Sequence, residues 1–406
     1  MAQIRPFKAL RPKPELANKV ASRPYDVLNS KEAKEEAKNN PLSFLHITKA
    51  EIDLPDETDV HSKAVYEKAK ENLERFHQQG TLFTEEKPCY YIYQLIMNGR
   101  SQTGLVCVSS VEDYFNDVIK KHEFTRPEKE KDRIDHMKTI RAQTGNVFLA
   151  YNNVTDIDAI VNDWKKSHQP VYDFKAEDAI QHTIWIINDD TVIDNITRLF
   201  EEKVLATYIA DGHHRAASAA KVSKELPQSE AAKYFLTTIF PASELQIMDY
   251  NRVIKDLNGM EEENLISALQ DDFMITRSPV PVKPVQLHEF GMYLDNKWYI
   301  LTSRPETYTN DPIGVLDVSI LSNNVLDKLF DIKDQRTDKR IDFIGGIRGL
   351  KELEKRVDSG EMKIAFSLYP VTIQQLFDIA DSGNIMPPKS TWFEPKLRDG
   401  LLTHLI

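Results

Sequence analysis

The chain has 406 residues, enough for two or three domains, and its 41% hydrophobic and 28% charged content is that of a soluble globular protein. A formal net charge of −11 argues against a nucleic-acid-binding surface, which needs a basic face, while leaving room for a local basic pocket. Two cysteines, Cys89 and Cys107, cannot build a disulfide framework. The opening "MAQIRPFKALRPKPE" lacks an apolar signal core, and no apolar run approaches the roughly 18 residues of a membrane span, so a cytoplasmic protein without membrane partners is expected.

A Pro-rich extended start leads into two helical patterns, "NSKEAKEEAKNN" and "SKAVYEKAKENLERFHQQG", the second closing at Gly80. "CYYIYQLIMNGRSQTGLVCVSS" reads as a hairpin around an Asn-Gly turn. "VEDYFNDVIKK" predicts a helix. A second helix follows the loop in "HEFTRPEKEKDRIDHMKTIRAQTG", where Thr125 and Glu128 have capping-box spacing. Strands and helices then alternate: "NVFLAY", "DIDAIVNDWKK", "HTIWIIN", "TVIDNITRLFEEK", "VLATYIA", "HRAASAAKVSKEL" and "YFLTTIFP". This alternation predicts an α/β layer with partly parallel pairing. Beyond about residue 250 the texture becomes α+β. "FGMYLDNKWYILT" is a hairpin, "PIGVLDVSILSNNVLDKLF" a long amphipathic helix, and "IDFIGG" and "KIAFSLYP" short strands. The expected domains are an N-terminal extension over 1–80, a core over 81–245 and a C-terminal α+β domain over 246–406.

"YIADGHHRAASAA" is the stretch least like ordinary packing. An apolar strand stops at Asp211 and Gly212, and a helix begins. A helix start offers free N–H groups and a positive dipole end to an anion. Gly212 permits a tight turn, and Arg215 adds a donor fork suited to phosphate or carboxylate. His213 and His214 point in different directions, about 100° apart on a helix, so the pair alone is a poor chelator. Asp211 would repel a bare phosphate; it suits Mg²⁺ lying between them, or a substrate amine or hydroxyl. The plain structural alternative is an Asp cap and a surface Arg.

In "KHEFTRPEKEKDR", Glu123 falls in the loop before a helix. Phe124 beside it is positioned to desolvate its carboxyl toward general-base values, whereas Glu128, Lys129, Glu130 and Lys131 read as a solvated charged face. Arg133 lies on that helix. Candidate substrate or phosphate contacts are His122 and, in the tail "PPKSTWFEPK", Lys389, Ser390 and Thr391. Trp392 and Phe393 suit base stacking or, equally, anchoring of the tail. Tyr25 and Asp26 can reach the site or form an ordinary turn. Gly345, Gly346 and Arg348 form either a second phosphate cradle or a plain turn.

The order of His-Glu in a loop, Arg on the next helix, an apolar strand, and a strand ending in Asp-Gly-His-His-Arg resembles the ParB/sulfiredoxin-like superfamily, in particular its free serine kinases. The full chain is similar to an uncharacterised bacterial family of that superfamily through "IRPFKALRP", "ASRPYDVLN", "HEFTRPEKEKDR", "YIADGHHR" and "MPPKSTWFEPKLRDGL". The resemblance implies a ParB/sulfiredoxin-like core and phosphoryl transfer from ATP or ADP, with Mg²⁺, to a small hydroxyl acceptor, L-serine foremost. It implies Glu123 as general base and Asp211 as ligand of Mg²⁺ or serine. His213, His214 and Arg215 would contact phosphate, with Gly212 in the turn and Arg133 supporting Glu123 or the nucleotide. A homodimer is compatible with it. The alternative is a nucleotide-binding sensor or scaffold without turnover. The chain departs from the compact kinases in the longer segment between Tyr151 and Asp211, and from sulfiredoxin in having no cysteine near the turn.

Overall fold

The computed structural model describes residues 1–406 and shows a mixed α+β protein of two compact units, Met1–Leu245 with Pro395–Ile406, and Gln246–Glu394. The tail, expected wholly in the C-terminal region, is thus divided, and His404–Leu405 pairs with Ala142–Gln143 of the first unit. Both cysteines are free and buried.

The first unit is built on a nine-stranded sheet. The Asn-Gly hairpin forms as the sequence requires: Asn98 and Gly99 both take positive φ, 52° and 79°, between Tyr90–Met97 and Arg100–Ser110. Across the sheet run Ile119–Lys120, Thr207–Asp211, Val147–Tyr151, Tyr234–Pro241, Arg100–Ser110, Tyr90–Met97, Gln181–Ile187 and Tyr172–Lys175, with Ile4–Arg5 pairing on Arg100–Ser110. Pairing is mixed. Val147–Tyr151 runs parallel to Tyr234–Pro241 but antiparallel to Thr207–Asp211. Helices Thr155–Ser167, Asp190–Lys203 and His213–Glu225 bury Trp164, Phe200 and Ala216–Ala220 positions against Leu149, Ile209, Phe235 and Ile239. A second cluster joins the N-terminal segment to the core through Phe44, Phe76, Leu82 and Ile140.

Three local expectations change. The "VEDYFNDVIKK" helix ends at Phe115, because Asp117 turns to φ 58° and Ile119–Lys120 leaves as a strand parallel to Thr207 and Tyr208. The Thr125–Glu128 capping box does not form. Helix Pro127–Ile140 starts after Arg126, and the Thr125 hydroxyl bonds Glu130 instead. Glu130 is therefore not solvated; it is buried and ion-paired with Lys221.

The second unit is a six-stranded, wholly antiparallel sheet in the order Phe273–Ser278, Lys297–Ser303, Glu289–Leu294, Ile364–Leu368, Tyr250–Ile254, Ile341–Gly345. Its hairpin turns at Asp295 and Asn296, both at positive φ. The expected long helix begins only at Asp317, since Asp311 accepts the N–H groups of Ile313 and Gly314 in a turn, and it widens into a π-helix over Ser322–Asp327.

Candidate functional site

The site grows from the corner after Thr207–Asp211. Register with Val147–Tyr151 slips between Ile209 and Asp211, a bulge that re-aims the last side chain of the strand. Gly212 then adopts φ 95° and starts helix His213–Glu225. The positive φ is what favours glycine at 212; an added Cβ would sit 3.1 Å from Arg215 Nε, so that side chain would have to give by a few tenths of an ångström.

The side chains at this corner are heavily paired. Lys396 Nζ lies 2.9 Å from Asp211 Oδ2, and Arg215 reaches the same oxygen at 3.6 Å. Burial opposes the charged form of Asp211, but Lys396 and Arg215 outweigh it and hold the carboxyl well below the usual carboxylate range. Arg215 also faces Asp26 at 3.4 Å and donates to the carbonyl of Asn146. Burial would lower its pKa, yet Asp26 and Asp211 raise it, so it is a permanent cation. Asp399 is 2% exposed, and its Oδ2 makes no hydrogen bond. Burial pushes its carboxyl up to about 7 despite Arg215.

The two histidines part as their spacing requires. His214 Nε2 accepts the backbone N–H of Arg126 at 2.9 Å and so holds the start of helix Pro127–Ile140. His213 is buried and meets His122 edge to face, ring centroids 4.5 Å apart. The His122 N–H points at His213 Nε2 at 3.5 Å, which makes Nε2 the acceptor and leaves the proton on Nδ1. That Nδ1 lies 3.7 Å from Glu123 Oε2. Burial and the neighbouring His122 keep His213 far below the usual imidazole pKa, and burial takes His122 down to about 4. Both rings are therefore neutral near pH 7, and the positive charge of the corner comes from Arg215 and Lys396.

Several expectations are corrected. Phe124 is 70% exposed and does not cover Glu123, whose side chain is half exposed. Arg133 donates to Asp132 and stacks its guanidinium 4.0 Å from the Tyr25 ring, so its bonds go to neither Glu123 nor the corner. Lys389, Ser390 and Thr391 lie in the second unit. There Ser390 Oγ donates to the carbonyl of Pro387 at 2.6 Å, and the Lys389 carbonyl accepts from Arg252. Trp392–Phe393 is a strand on Ile247–Met248, with the Trp392 ring against Tyr250 and Gly345, an anchor rather than a platform for a base. Gly346 gives its N–H to the Asp249 carbonyl at 2.7 Å and lies against the Asp249 carboxylate, so the Gly-Gly turn is no phosphate cradle. Asp26 does reach the site, whereas Lys396 and Asp399 were missed; the only sequence signal for them was the run of charge in "EPKLRDG".

The donor set does not fit a protein-held Mg²⁺. Asp211 already faces two cations, and no group of three His, Cys, Asp or Glu side chains converges anywhere in the chain. What the corner offers is a helix start, a permanent guanidinium, an ammonium, and a carboxylate beside a neutral N–H donor. Those groups suit an anion next to a proton acceptor.

Residues 4–319 match the family described as "Protein of unknown function (DUF1015)", and the chain belongs to that family. No curated protein matches it. Similar solved structures include a free serine kinase in complex with AMP (12% identity, 71% of this chain, 86% of that chain, TM-score 0.35). A conserved hypothetical protein from Pyrococcus furiosus matches at 14% identity, 71% and 90% coverage and TM-score 0.34. SbnI with a C-terminal truncation from Staphylococcus aureus matches at 11% identity, 74% and 87% coverage and TM-score 0.34. At those scores the likeness carries no argument for activity. No helix is long and apolar enough to cross a membrane.

Proposed function

We propose that the first unit transfers a phosphoryl group from ATP or ADP to a small hydroxyl acceptor, with L-serine the leading acceptor and Glu123 the general base. The observation that carries this reading is the contact of His213 Nδ1 with Glu123 Oε2 at 3.7 Å, which brings the loop carboxylate to the anion-binding corner. Phosphoryl transfer asks mainly for in-line positioning and charge stabilisation, and Arg215, Lys396 and the N-terminus of His213–Glu225 provide them. The acceptor oxygen bonds to the terminal phosphorus as the bond from that phosphorus to the bridging oxygen breaks. The shortened nucleotide leaves, and the hydroxyl proton passes to Glu123. The same roles are the ones implied by the resemblance of the Glu123 loop and the Asp211–Arg215 turn to those of free serine kinases.

The test is a product assay with nucleotide and Mg²⁺ in the buffer, with and without L-serine, reading O-phosphoserine by mass spectrometry. Glu123→Gln is expected to leave nucleotide affinity intact and to lower turnover about 10²- to 10⁴-fold. Nucleotide binding with no acceptor-dependent product in the wild type would replace the kinase with a nucleotide sensor. Loss of nucleotide binding in Glu123→Gln would make that residue structural.

A further inference from the structure

The tail motif "MPPKSTWF" is not used by the corner at Asp211, yet it is built with care. Arg252 is fully buried on strand Tyr250–Ile254, with no carboxylate partner. Burial brings its pKa down to about 10. Its guanidinium donates to backbone carbonyls, those of Tyr250, Lys389 (3.1 Å) and Pro388 (3.4 Å). Burying an unpaired guanidinium is costly, so its return is the fixed shape of the turn at residues 387–390, where Lys389 takes φ 59° and Ser390 closes on Pro387.

That turn is one wall of a pocket of about 380 Å³ that opens to solvent within the second unit. Its size lies in the range of ligand pockets. Pro387 and Pro388 form the rigid side. Opposite them, the π-helix Ser322–Asp327 presents Ser322 and Asn323, a departure from α-helix that recurs at functional sites. Ser319 and Gln335 also line the pocket. Both are more than nine-tenths buried, and Ser319 Oγ and Gln335 Oε1 have no hydrogen-bond partner. Gln335 Nε2 is already given to Ser322 Oγ at 2.6 Å, so the amide is oriented with its acceptor unused. Lys333 and Arg336 complete the wall. Asp334 takes Nε and one terminal nitrogen of Arg336 at 2.9 and 3.0 Å, leaving the other edge of the fork, and Lys333 has one contact, to Asp331 at 3.2 Å.

We propose that this pocket is a second ligand site, independent of the Asp211 corner, for a small anionic metabolite that also carries a hydroxyl. The anionic group meets Lys333 and Arg336, and the hydroxyl donates to Gln335 Oε1. A phosphate ester and a carboxylate share this chemistry. The test is calorimetric titration of the full chain with glycerol 3-phosphate in one arm and glycerate in the other, on wild type, on the double variant Lys333→Ala with Arg336→Ala, and on Arg215→Ala. Both replaced side chains in the double variant are exposed, so it is expected to fold. Millimolar or tighter binding of one probe is expected, weakened at least tenfold in the double variant and unchanged in Arg215→Ala. The arm that binds names the anion. Failure of both probes to bind wild type, or equal binding to the double variant, overturns the site. Weakening only in Arg215→Ala would also overturn it by placing the probe at the corner.

Discussion

Lys396 Nζ lies 2.9 Å from Asp211 Oδ2, although 185 positions separate them in the chain. The ammonium completes a charge balance at the corner that Arg215 alone shares with Asp26. Lys396→Ala leaves Asp211 partly buried with one cation fewer. A loss of about 1 kcal/mol in the urea unfolding of the first unit is expected, between the values for exposed and buried pairs. Nucleotide affinity is expected to fall as well; unchanged affinity would confine Lys396 to a structural role.

His213 separates two roles. If it positions Glu123, His213→Leu lowers kcat roughly tenfold, about 1.4 kcal/mol, with nucleotide affinity unchanged. His213→Asn, which restores an N–H near the place of Nδ1, then recovers part of the loss. A parallel fall in nucleotide affinity, without rescue by Asn, would make His213 the phosphate contact that the resemblance implies.

Asp399 imposes a pH dependence of definite sign. Its carboxyl is raised by burial to about 7, with Arg215, Asp26, Arg133 and the Tyr25 N–H facing it. The folded state therefore holds a proton that the unfolded state has released. The associated stability is full below the ordinary Asp pKa and is lost as pH rises from about 4 through 7. The buried His122 acts in the opposite sense between pH 4 and 6.5, and His213, also lowered by burial, acts in the same direction as His122, so the readout is the difference between wild type and Asp399→Asn. That difference is expected to shift in favour of the variant by on the order of 3 kcal/mol between pH 4.5 and 8 in thermal unfolding. A pH-independent difference would show that Asp399 titrates normally.

Gly212→Ala tests the corner itself. Forcing a side chain to φ 95° and against Arg215 is expected to cost about 2 kcal/mol and to shift the guanidinium. Chemical denaturation measures the first effect and nucleotide titration the second. A neutral substitution would mean that the turn relaxes freely.

The local grammar of the chain is legible in the sequence. Asn98 and Gly99 dictate a hairpin because both must take positive φ, and Asp211-Gly212 after an apolar run dictates a strand-to-helix corner. Consecutive helical positions separate His213 from His214 for the same local reason. Where local rules failed, tertiary pairing prevailed. Ile119–Lys120 left its helix to pair with Thr207 and Tyr208, and Thr125 gave up its cap for Glu130. Phe124, adjacent to Glu123 in sequence, points to solvent, since neighbours in a loop need not face one another. The sequence by itself determined which residue types stand at the corner and that an anion suits them. Only the tertiary structure decided that His213 faces Glu123, that Lys396 and Arg215 hold Asp211, and that the 387–390 turn belongs to a pocket of its own. Such contacts join residues far apart in the chain, and neither periodicity nor spacing records which distant charges burial will bring together.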